Sequence, residues 1–361
     1  MRFRPDWLKK VLGIGGQVES SPPPHPKTAR QRPVTDHVIL IDGTMSTLEP
    51  GHETNVGRIY RLLRSMPASA SLSVYYEGGV QWRTWRDTRD VAMGRGINRQ
   101  IRRTYGWLAS HYRPGDRIFL IGFSRGAYAV RSLAGIIDQV GLVRADAATE
   151  RNILLAYRYY QTEEERPAEK VFRERFCHPD AQVEMIGVFD TVKALGLRLP
   201  FLWMWTEPQH RFHNHALGPT VRHGFHALAL HETRIAFAPV LWDTNGERKG
   251  GRIEQMWFRG THGDVGGHLN GFEYARPLAN IPLVWMLEQA AWCGLPLPEG
   301  WRSRFPLDPV APSVGTWRGA GVLFLIRGRR IFGRDNSERV HPTAEDVRDR
   351  WSWMLPFGRR A

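Results

Sequence analysis

Cysteine is nearly absent from this sequence, whose 361 residues include only Cys177 and Cys293. Two isolated cysteines cannot form a disulfide framework, and their wide separation argues against a structural zinc site. Long apolar runs are absent as well: the longest, such as residues 199–205 and 321–326, fall far short of the roughly 18 to 20 residues that span a bilayer. We therefore expect a globular protein that is made in a reducing cytoplasm and has no transmembrane segment.

The first 33 residues also lack what a secretory signal peptide requires. Their basic opening, MRFRPDWLKK, is followed neither by a long apolar core nor by a small-residue cleavage site, and a proline-rich stretch comes next. We interpret residues 1–33 as a flexible tail, with a weak contact to an anionic membrane surface as the alternative. Any export would follow a route that needs no signal peptide.

Acidic residues are scarce relative to basic ones. The sequence has 36 acidic and 50 basic residues, which gives a formal net charge of +14. Only six of the basic residues are lysines, and the 44 arginines are scattered through nearly every segment. Because a basic stripe is a stronger nucleic-acid signal than a dispersed excess, composition leaves three interpretations open: nucleic-acid binding, attraction to an anionic membrane, and compositional bias.

Several functional motifs are missing. No Gly-Lys pair occurs, which excludes a P-loop, and Gly94-Arg95-Gly96 lacks the third glycine of a dinucleotide-binding fingerprint. His231-Glu232 lacks the second histidine of a zinc-protease helix. One group of histidines leaves a metal site as a minor alternative, although it lacks clear ligand spacing: His210, His213, His215, His223 and His226. We expect neither a metal nor a cofactor.

The sequence does contain an alternation of strands and helices. Short apolar runs bounded by turn residues indicate buried strands at 37–41, 71–76, 117–123, 183–189 and 253–258. Apolar spacing indicates helices at 55–65, 97–112, 125–139, 225–237 and 282–291. Strands that are buried on both faces and separated by helices belong to a mainly parallel sheet. The predicted fold class is therefore α/β, with a central sheet flanked by helices.

The most specific local signal is Gly122-Phe123-Ser124-Arg125-Gly126, a G-x-S-x-G motif at the end of the strand at 117–123. In such a nucleophile elbow, the serine occupies a strained strand-to-helix turn that exposes its hydroxyl. Glycine at 122 and at 126 removes side chains that would collide across the turn. We predict that Ser124 is a catalytic nucleophile, with an ordinary βα turn as the alternative.

A serine nucleophile needs a general base and an acid that orients it, and in α/β-hydrolases the chain order is Ser, Asp or Glu, then His. Asp190 directly follows the strand at 183–189, although it could instead cap a helix through Thr191. His262 follows the strand at 253–258 in a glycine-rich loop, and His268 is its nearest rival. We predict Asp190 as the acid and His262 as the base, with Asp264 as a candidate supporting residue.

The oxyanion of an acyl-transfer reaction needs backbone donors. The amide of Arg125, at the start of the helix after Ser124, is one candidate, and the loop after an early strand should supply another. Asp42-Gly43-Thr44 is such a loop, so the amides of Gly43 and Thr44 are candidates. Asp42 would orient this loop or cap a helix, and a simple Asp-Gly turn is the alternative.

Several motifs, taken in order, resemble one protein group. They are LIDGT at 40–44, YRPGDRIFLIGFSRGAYAVRSLAGII at 112–137, IGVFDTV at 186–192, HALALHETRIAFAPVLW at 226–242 and MWFRGTHGDVGGH at 256–268. Together they resemble the bacterial and fungal α/β-hydrolase-like domains typified by the catalytic domain of type VI secretion phospholipase effectors. The stretch ERVHPTAEDVRDR at 338–350 resembles the closing helix of that family, so the similarity covers about residues 36–350.

The resemblance implies an α/β-hydrolase-like fold and a triad of Ser124, Asp190 and His262, in agreement with the assignment by position. Two departures change the expected shape of the pocket. The family more often has an acidic residue where His231 stands, and a third glycine with an aromatic residue where Gly267-His268-Leu269 stand.

We predict one catalytic domain at 34–350, preceded by the tail at 1–33 and followed by a short tail at 351–361. An aromatic-rich insertion at 196–222 follows the acid-bearing strand, and such insertions act as lids in lipases. Four of its large side chains are candidates to line or cover an acyl pocket: Phe201, Trp203, Met204 and Trp205. The alternative is that they fill the core of a small subdomain.

The preferred function is that of a serine esterase, of the phospholipase or lipase type, which acts through an acyl-enzyme. Its partners would be a lipid or other ester substrate and an anionic membrane surface, without a specific nucleic acid; the sequence identifies no protein partner. Two alternatives belong to other classes: a hydrolase-fold binding or regulatory module without turnover, and, more weakly, a nucleic-acid-binding protein.

Overall fold

The computed structural model describes residues 32–69, 71–79, 95–162, 166–192, 216–244, 246, 250–318 and 324–345. The elements given below all belong to one compact unit, residues 34–361. None of the helices in these described ranges is long and apolar enough to cross a membrane.

The described strands form a seven-stranded sheet and a small antiparallel pair. In chain order they are β1 (Asp36–Ile41), β2 (Leu72–Glu77), β3 (Arg117–Phe123), β4 (Leu142–Val143), β5 (Cys177–His178), β6 (Val183–Phe189), β7 (Val221–Ala229), β8 (Ile253–Phe258) and β9 (Glu338–Val340). The sheet has the order β2-β1-β3-β6-β7-β8-β9, and β4 pairs with β5. All neighbouring strands in the large sheet are parallel. The predicted α/β class with a mainly parallel sheet is therefore confirmed.

Helices cover both faces of this sheet. They are α1 (Asn55–Arg64), α2 (Arg95–His111), α3 (Arg125–Gln139), α4 (Glu150–Tyr160), α5 (Pro167–Phe176), α6 (His262–Gly266) and α7 (Arg276–Trp292). Alternate residues of β1 belong to opposite cores, because side chains point to alternate faces along a strand. Ile39 and Ile41 pack in the core with α2, α3 and α4, whereas Val38 and Leu40 pack in the core with α1 and α7.

The helix predicted at 225–237 is wrong, since Val221–Ala229 is strand β7 and only Ile235–Phe237 forms a 3₁₀ turn. The stretch GFHALA at 224–229 is buried between β6 and β8. A short apolar run that is buried on all sides carries no periodicity that separates a strand from a helix. Parallel pairing with two neighbouring strands therefore decided its conformation.

The closing helix expected at 338–350 also differs from the structure at its start. Glu338–Val340 is strand β9, which pairs with the outer edge of β8, and Pro342–Ala344 forms a 3₁₀ turn. Proline at 342 has no amide hydrogen to extend the ladder, so the strand ends before it. Residues 346–350 lie outside the described ranges.

The topology brings three loops to one edge of the sheet. Strands β3 and β6 are adjacent, with Phe123 paired to Phe189, so the residues that follow them, Ser124 and Asp190, emerge side by side. His262 comes four residues after the end of β8. Because the carboxyl ends of parallel strands share an edge, these three residues lie at the same end of the sheet.

Candidate active site

Ser124 occupies a strained turn between β3 and α3. Its φ and ψ are 57° and −117°, a region that residues with a side chain seldom adopt. The turn runs close to its surroundings: a Cβ on Gly122 would lie 2.6 Å from the Gly126 carbonyl oxygen, and a Cβ on Gly126 would lie 2.1 Å from that of Ile41. Only glycine fits at these two positions, which is the physical basis of the G-x-S-x-G pattern.

A continuous hydrogen-bonded chain connects the three predicted catalytic residues. Nε2 of His262 lies 2.9 Å from Oγ of Ser124, and Nδ1 of His262 lies 2.6 Å from Oδ2 of Asp190. All three residues are buried. With a proton on Nδ1, the imidazole donates to Asp190 and accepts from the Ser124 hydroxyl, which is the arrangement of a general base beside a nucleophile.

The imidazole of His262 is held from several sides. The rings of Phe123 and Phe237 contact it, with centroid distances of 4.8 Å and 4.9 Å. Its backbone amide donates to Oε2 of the buried Glu232 at 3.2 Å. Glu232 is in turn paired with Arg234 at 2.7 Å. Burial opposes ionisation of Glu232, but its hydrogen bonds and ion pair with Arg234 outweigh burial and lower its pKa.

Asp264 accepts hydrogen bonds from backbone amides and from hydroxyls around the loop that carries His262. Its carboxylate accepts from the amide and the hydroxyl of Thr261, at 2.7 Å and 2.8 Å, and so caps the helix that begins at His262. It also accepts from Ser313 Oγ at 2.5 Å and from the Val314 amide at 2.8 Å. These bonds join the His262 loop to residues 313–314.

Asp190 is fully buried, with a φ of 42°. Besides His262, it accepts from the Ala229 amide at 3.0 Å and from both terminal nitrogens of Arg330, at 2.5 Å and 2.8 Å. Burial alone would raise the pKa of Asp190, but the charge and hydrogen bonds of Arg330, followed by those of His262, hold it well below its usual range. Asp190 is therefore a carboxylate.

The sequence singled out two further histidines near His262, which are His231 and His268. The Nδ1 atom of His231 accepts from the Gly260 amide at 3.0 Å, so this residue shapes the loop that leads to His262. Burial lowers the pKa of both His231 and His268 to about 4. His262 is therefore the histidine that lies within hydrogen-bonding distance of the serine hydroxyl.

The loop after β1 lies against the elbow. A Cβ on Gly43 would lie 2.7 Å from a ring carbon of Phe123 and 3.5 Å from the Cβ of Ser124. The carboxylate of Asp42 accepts from the Gly43 amide at 2.7 Å and from the hydroxyls of Thr54 and Tyr76, at 2.7 Å and 2.8 Å. Burial raises the pKa of Asp42 to about 6, although these hydrogen bonds oppose the shift. Asp42 thus ties the loop to α1 and β2.

This arrangement distinguishes the two oxyanion candidates in the loop. The Gly43 amide already has Asp42 as its acceptor. In contrast, the hydroxyl of Thr44 is buried and has no hydrogen-bond partner within the described part of the chain. The Thr44 hydroxyl is therefore an unpaired donor among the described residues of this loop, and the amides of Thr44 and Arg125 stay predicted oxyanion donors.

Some predictions fall on residues outside the described ranges. The lid candidates Phe201, Trp203, Met204 and Trp205 are among them, so the lid hypothesis stays a prediction.

The five grouped histidines bear on the alternative of a metal site. Three of them, at 210, 213 and 215, also lie outside the described ranges. Of the other two, His226 is buried, its Nε2 accepts from the Thr191 amide at 3.2 Å, and burial lowers its pKa to about 3. Within the described ranges, no cluster of three or more His, Cys, Asp or Glu side chains could hold a metal ion.

Sequence reasoning missed Arg330 and Glu232. Glu232 directly follows His231, and His231 stands where the resembled family more often has an acidic residue. Arg330 carries no comparable signal, because it is one of 44 arginines and lies 68 residues after His262.

Comparison with known proteins identifies a matching family and a relative of this chain. Residues 36–289 match the profile of the family described as type VI secretion system phospholipase effector Tle1-like, catalytic domain. An uncharacterized protein of Saccharomyces cerevisiae, YEL023C, is 26% identical in a region that covers 63% of this chain and 35% of the yeast protein. The chain thus spans about a third of the length of this curated relative.

Two solved structures are similar at low identity. One is an uncharacterized protein from Pseudomonas aeruginosa, with 19% identity, a TM-score of 0.43, and coverage of 77% of this chain and 50% of that one. The other is the Tle1 effector bound to the VgrG spike of the type 6 secretion system, with 19% identity, a TM-score of 0.38, and coverage of 65% and 51%.

The close approach of the elbow to β1 predicts the effect of a single methyl group. Gly126→Ala should lower the free energy of unfolding by roughly 2 to 4 kcal/mol, because the new Cβ would overlap the Ile41 carbonyl oxygen. Gly78→Ala is the matched control, since among the described residues its Cβ would meet only a ring carbon of Tyr76, at 3.8 Å. Urea unfolding followed by circular dichroism measures both. Equal stabilities of the two variants would contradict the steric explanation.

Proposed function

This chain belongs to the family of Tle1-like catalytic domains of type VI secretion phospholipase effectors, and from that premise we propose that it hydrolyses carboxylic esters of phospholipids by serine catalysis. The observation that carries the proposal is the hydrogen-bonded chain from Ser124 through His262 to Asp190 at the carboxyl edge of the sheet. The strained elbow supports it further, because backbone strain of this kind persists at sites where it serves a function.

In the first half of the reaction, Nε2 of His262 takes the proton from the Ser124 hydroxyl while Oγ attacks the ester carbonyl carbon. Asp190 stabilises the imidazolium that forms. When the tetrahedral intermediate collapses, the bond to the alcohol oxygen breaks, and the departing alcohol takes the proton from His262. The products of this half are an acyl-enzyme on Ser124 and a deacylated lipid.

The negative charge on the carbonyl oxygen needs donors that are in place before the reaction. The amide of Arg125 is suited to this role, because the first amides of a helix have no acceptor within the helix. We assign the second donor to Thr44, whose hydroxyl is buried without a partner in the described part of the chain. Asp42 holds this loop in place.

In the second half, water replaces the alcohol. His262 removes a proton from the water, the hydroxide attacks the acyl carbon, and the proton then returns to Oγ of Ser124 as the fatty acid leaves. The residues named here supply a nucleophile, a base and oxyanion donors, which together suffice for ester hydrolysis. The steps described here use side chains and a backbone amide of the protein, together with one water molecule.

A fluorophosphonate probe tests the nucleophile directly. The wild-type protein should be labelled, whereas Ser124→Ala should show no labelling and should lose at least about 1,000-fold of its rate on a phospholipid or a soluble ester. Ser110→Ala is the matched control, because the hydroxyl of this exposed serine of α2 donates to the Gly106 carbonyl oxygen within the same helix, away from the elbow. It should be labelled as strongly as the wild type.

The same experiment separates the alternatives. A wild-type protein that is not labelled, with a phenotype that Ser124→Ala leaves unchanged, would favour a binding module over an enzyme. Labelling that persists in Ser124→Ala would assign the nucleophile to another residue. Circular dichroism of both variants verifies that any loss of labelling does not come from unfolding.

A further inference from the structure

Arg330 forms an ion pair with the acid of the candidate triad from outside the region that matches the family. Its side chain is 5% exposed, and its two terminal nitrogens contact the two carboxylate oxygens of Asp190. The same nitrogens donate to the carbonyl oxygens of Ala229 and Phe237, at 2.9 Å and 2.6 Å. Arg330 lies 41 residues beyond the end of the matched region at 289.

This contact changes the charge balance around His262. A buried carboxylate requires a positive partner. Among the described residues, the imidazole of His262 is the one other side chain hydrogen-bonded to Asp190 that could become positive, so without Arg330 the buried charge would favour a protonated imidazole. With Arg330 in place, the charge of Asp190 is already balanced. Asp190 therefore stabilises a protonated His262 less strongly.

The other titratable groups around this pair do not alter the balance. Glu232 faces His262 but is neutralised by Arg234. His268 faces His262, and His226 lies near Asp190; burial favours the neutral form of both. Two arginine–carboxylate pairs therefore flank the imidazole, which has no unpaired negative neighbour among the residues that the structure describes.

We propose that Arg330 is a positioning residue that keeps His262 neutral, and therefore able to accept the proton of Ser124, at lower pH than Asp190 alone would allow. Its two parallel hydrogen bonds also fix the plane of the Asp190 carboxylate and hence the orientation of the imidazole. This inference rests on the proposed function only for its consequence in catalysis. The protonation of His262 can be measured independently.

The test follows the titration of His262 by NMR of protein with isotope-labelled histidine, with the signal assigned by its loss in His262→Gln. In Arg330→Gln, the midpoint should move to higher pH by on the order of one unit, equivalent to about 1.4 kcal/mol. Arg330→Lys keeps the charge and should leave the midpoint near that of the wild type. The acid limb of kcat/KM on a soluble ester should move in the same way.

A purely structural role for Arg330 gives a different result. In that case both variants would lower kcat/KM by similar factors at every pH, and the His262 midpoint would not move in Arg330→Gln, which would overturn the proposal. If Arg330→Gln does not fold, a midpoint in Arg330→Lys that moves to higher pH by a full unit also overturns it. A shifted NMR midpoint in a protein without esterase activity would refute the proposed function and leave the charge-balance inference standing.

The segment that contains Arg330, residues 324–332, also exposes a group of large apolar side chains on the side that faces away from the site. In residues 324–332, which lie beside the site, Phe324, Arg327 and Arg330 are partly buried. Four large apolar side chains of the same segment are 39–72% exposed: Leu325, Ile326, Ile331 and Phe332. Trp317 is 63% exposed, and the guanidinium of Arg327 lies 3.8 Å above its ring. Single exposed apolar residues are ordinary, but a group within one segment marks a contact surface.

The charge around this surface indicates the kind of partner. Residues 315–334 contain five arginines and no acidic residue. The exposed members of this set are Arg318, Arg329 and Arg334. An apolar surface with a basic rim is complementary to an anionic bilayer, to which arginines near the surface are attracted.

We infer, on the basis of the proposed function, that the outer face of residues 324–332 docks on the surface of an anionic phospholipid bilayer. The inner face of the segment borders the site, since the ring of Phe324 contacts that of Phe237 with centroids 5.2 Å apart, and Phe237 contacts His262. Docking there would bring lipid esters to the catalytic edge of the sheet.

Flotation with vesicles tests this surface, and the full chain carrying Ser124→Ala is used so that hydrolysis cannot change the vesicles. Vesicles of phosphatidylglycerol and phosphatidylcholine should bind the protein at least about tenfold better than phosphatidylcholine alone, and added salt should weaken the binding. Adding Leu325→Ser, Ile326→Ser and Ile331→Ser should lower the binding at least tenfold. Val171→Ser, a 60% exposed valine of α5, is the control and should bind normally.

Two results would overturn the docking inference. One is unchanged vesicle binding by the triple variant. The other is a dimer of the wild-type protein that the triple variant converts to a monomer, which would assign the surface to a second copy of the chain. Because the Ser124→Ala background has no turnover, neither result depends on the protein being an esterase.

Discussion

The buried negative charge of Asp190 is the constraint on which the arrangement of the candidate active site depends. A carboxylate that is fully removed from water must be matched by donors and by positive charge, or it takes up a proton. Asp190 obtains its partners from three parts of the chain: the amide of Ala229 at the end of β7, the imidazole of His262 before α6, and the guanidinium of Arg330. One side chain therefore brings together segments that are up to 140 residues apart.

A second constraint is steric and acts at the elbow. The Gly126 Cα packs against the carbonyl of Ile41, so the end of β1 and the start of α3 can approach only because no side chain stands between them. This contact places the loop at 42–44 beside Ser124. Asp42 then anchors the loop through Thr54 and Tyr76 and leaves the hydroxyl of Thr44 without a partner within the described ranges. The contact between β1 and α3 therefore also positions the loop that holds the proposed oxyanion donors.

Those constraints explain which features the sequence could predict. Strands β3, β6 and β8 and helix α3 were predicted with the bounds that the structure has, because apolar runs ended by glycine, aspartate or a nucleophile elbow are strong local signals. Local signals failed for β7, where burial on all sides removes the periodicity and pairing with β6 and β8 determines the conformation. The order Ser, Asp, His pointed to three residues that the structure brings within hydrogen-bonding distance.

Arg330 could not be predicted, because its role depends on tertiary contact alone. No spacing relates it to Asp190, and its neighbours in the sequence are other arginines and apolar residues. What it shares with several other arginines is burial against carbonyl oxygens. Arg131 donates to the Val240 carbonyl, and Arg276 donates to the carbonyl of Gly267 at 3.2 Å.

This use of arginine changes the meaning of the net charge of +14. A guanidinium can join several backbone carbonyls and a carboxylate at once, which a lysine cannot do with a single nitrogen. Part of the arginine excess therefore serves hydrogen bonds within the fold, including those that join the loops at the candidate active site. The excess that bears on a partner is the part that stays exposed, and between residues 315 and 334 it is concentrated without acidic neighbours beside apolar side chains. The total charge therefore includes arginines that serve internal contacts and exposed arginines, some of which lie on the surface that we propose docks on a bilayer.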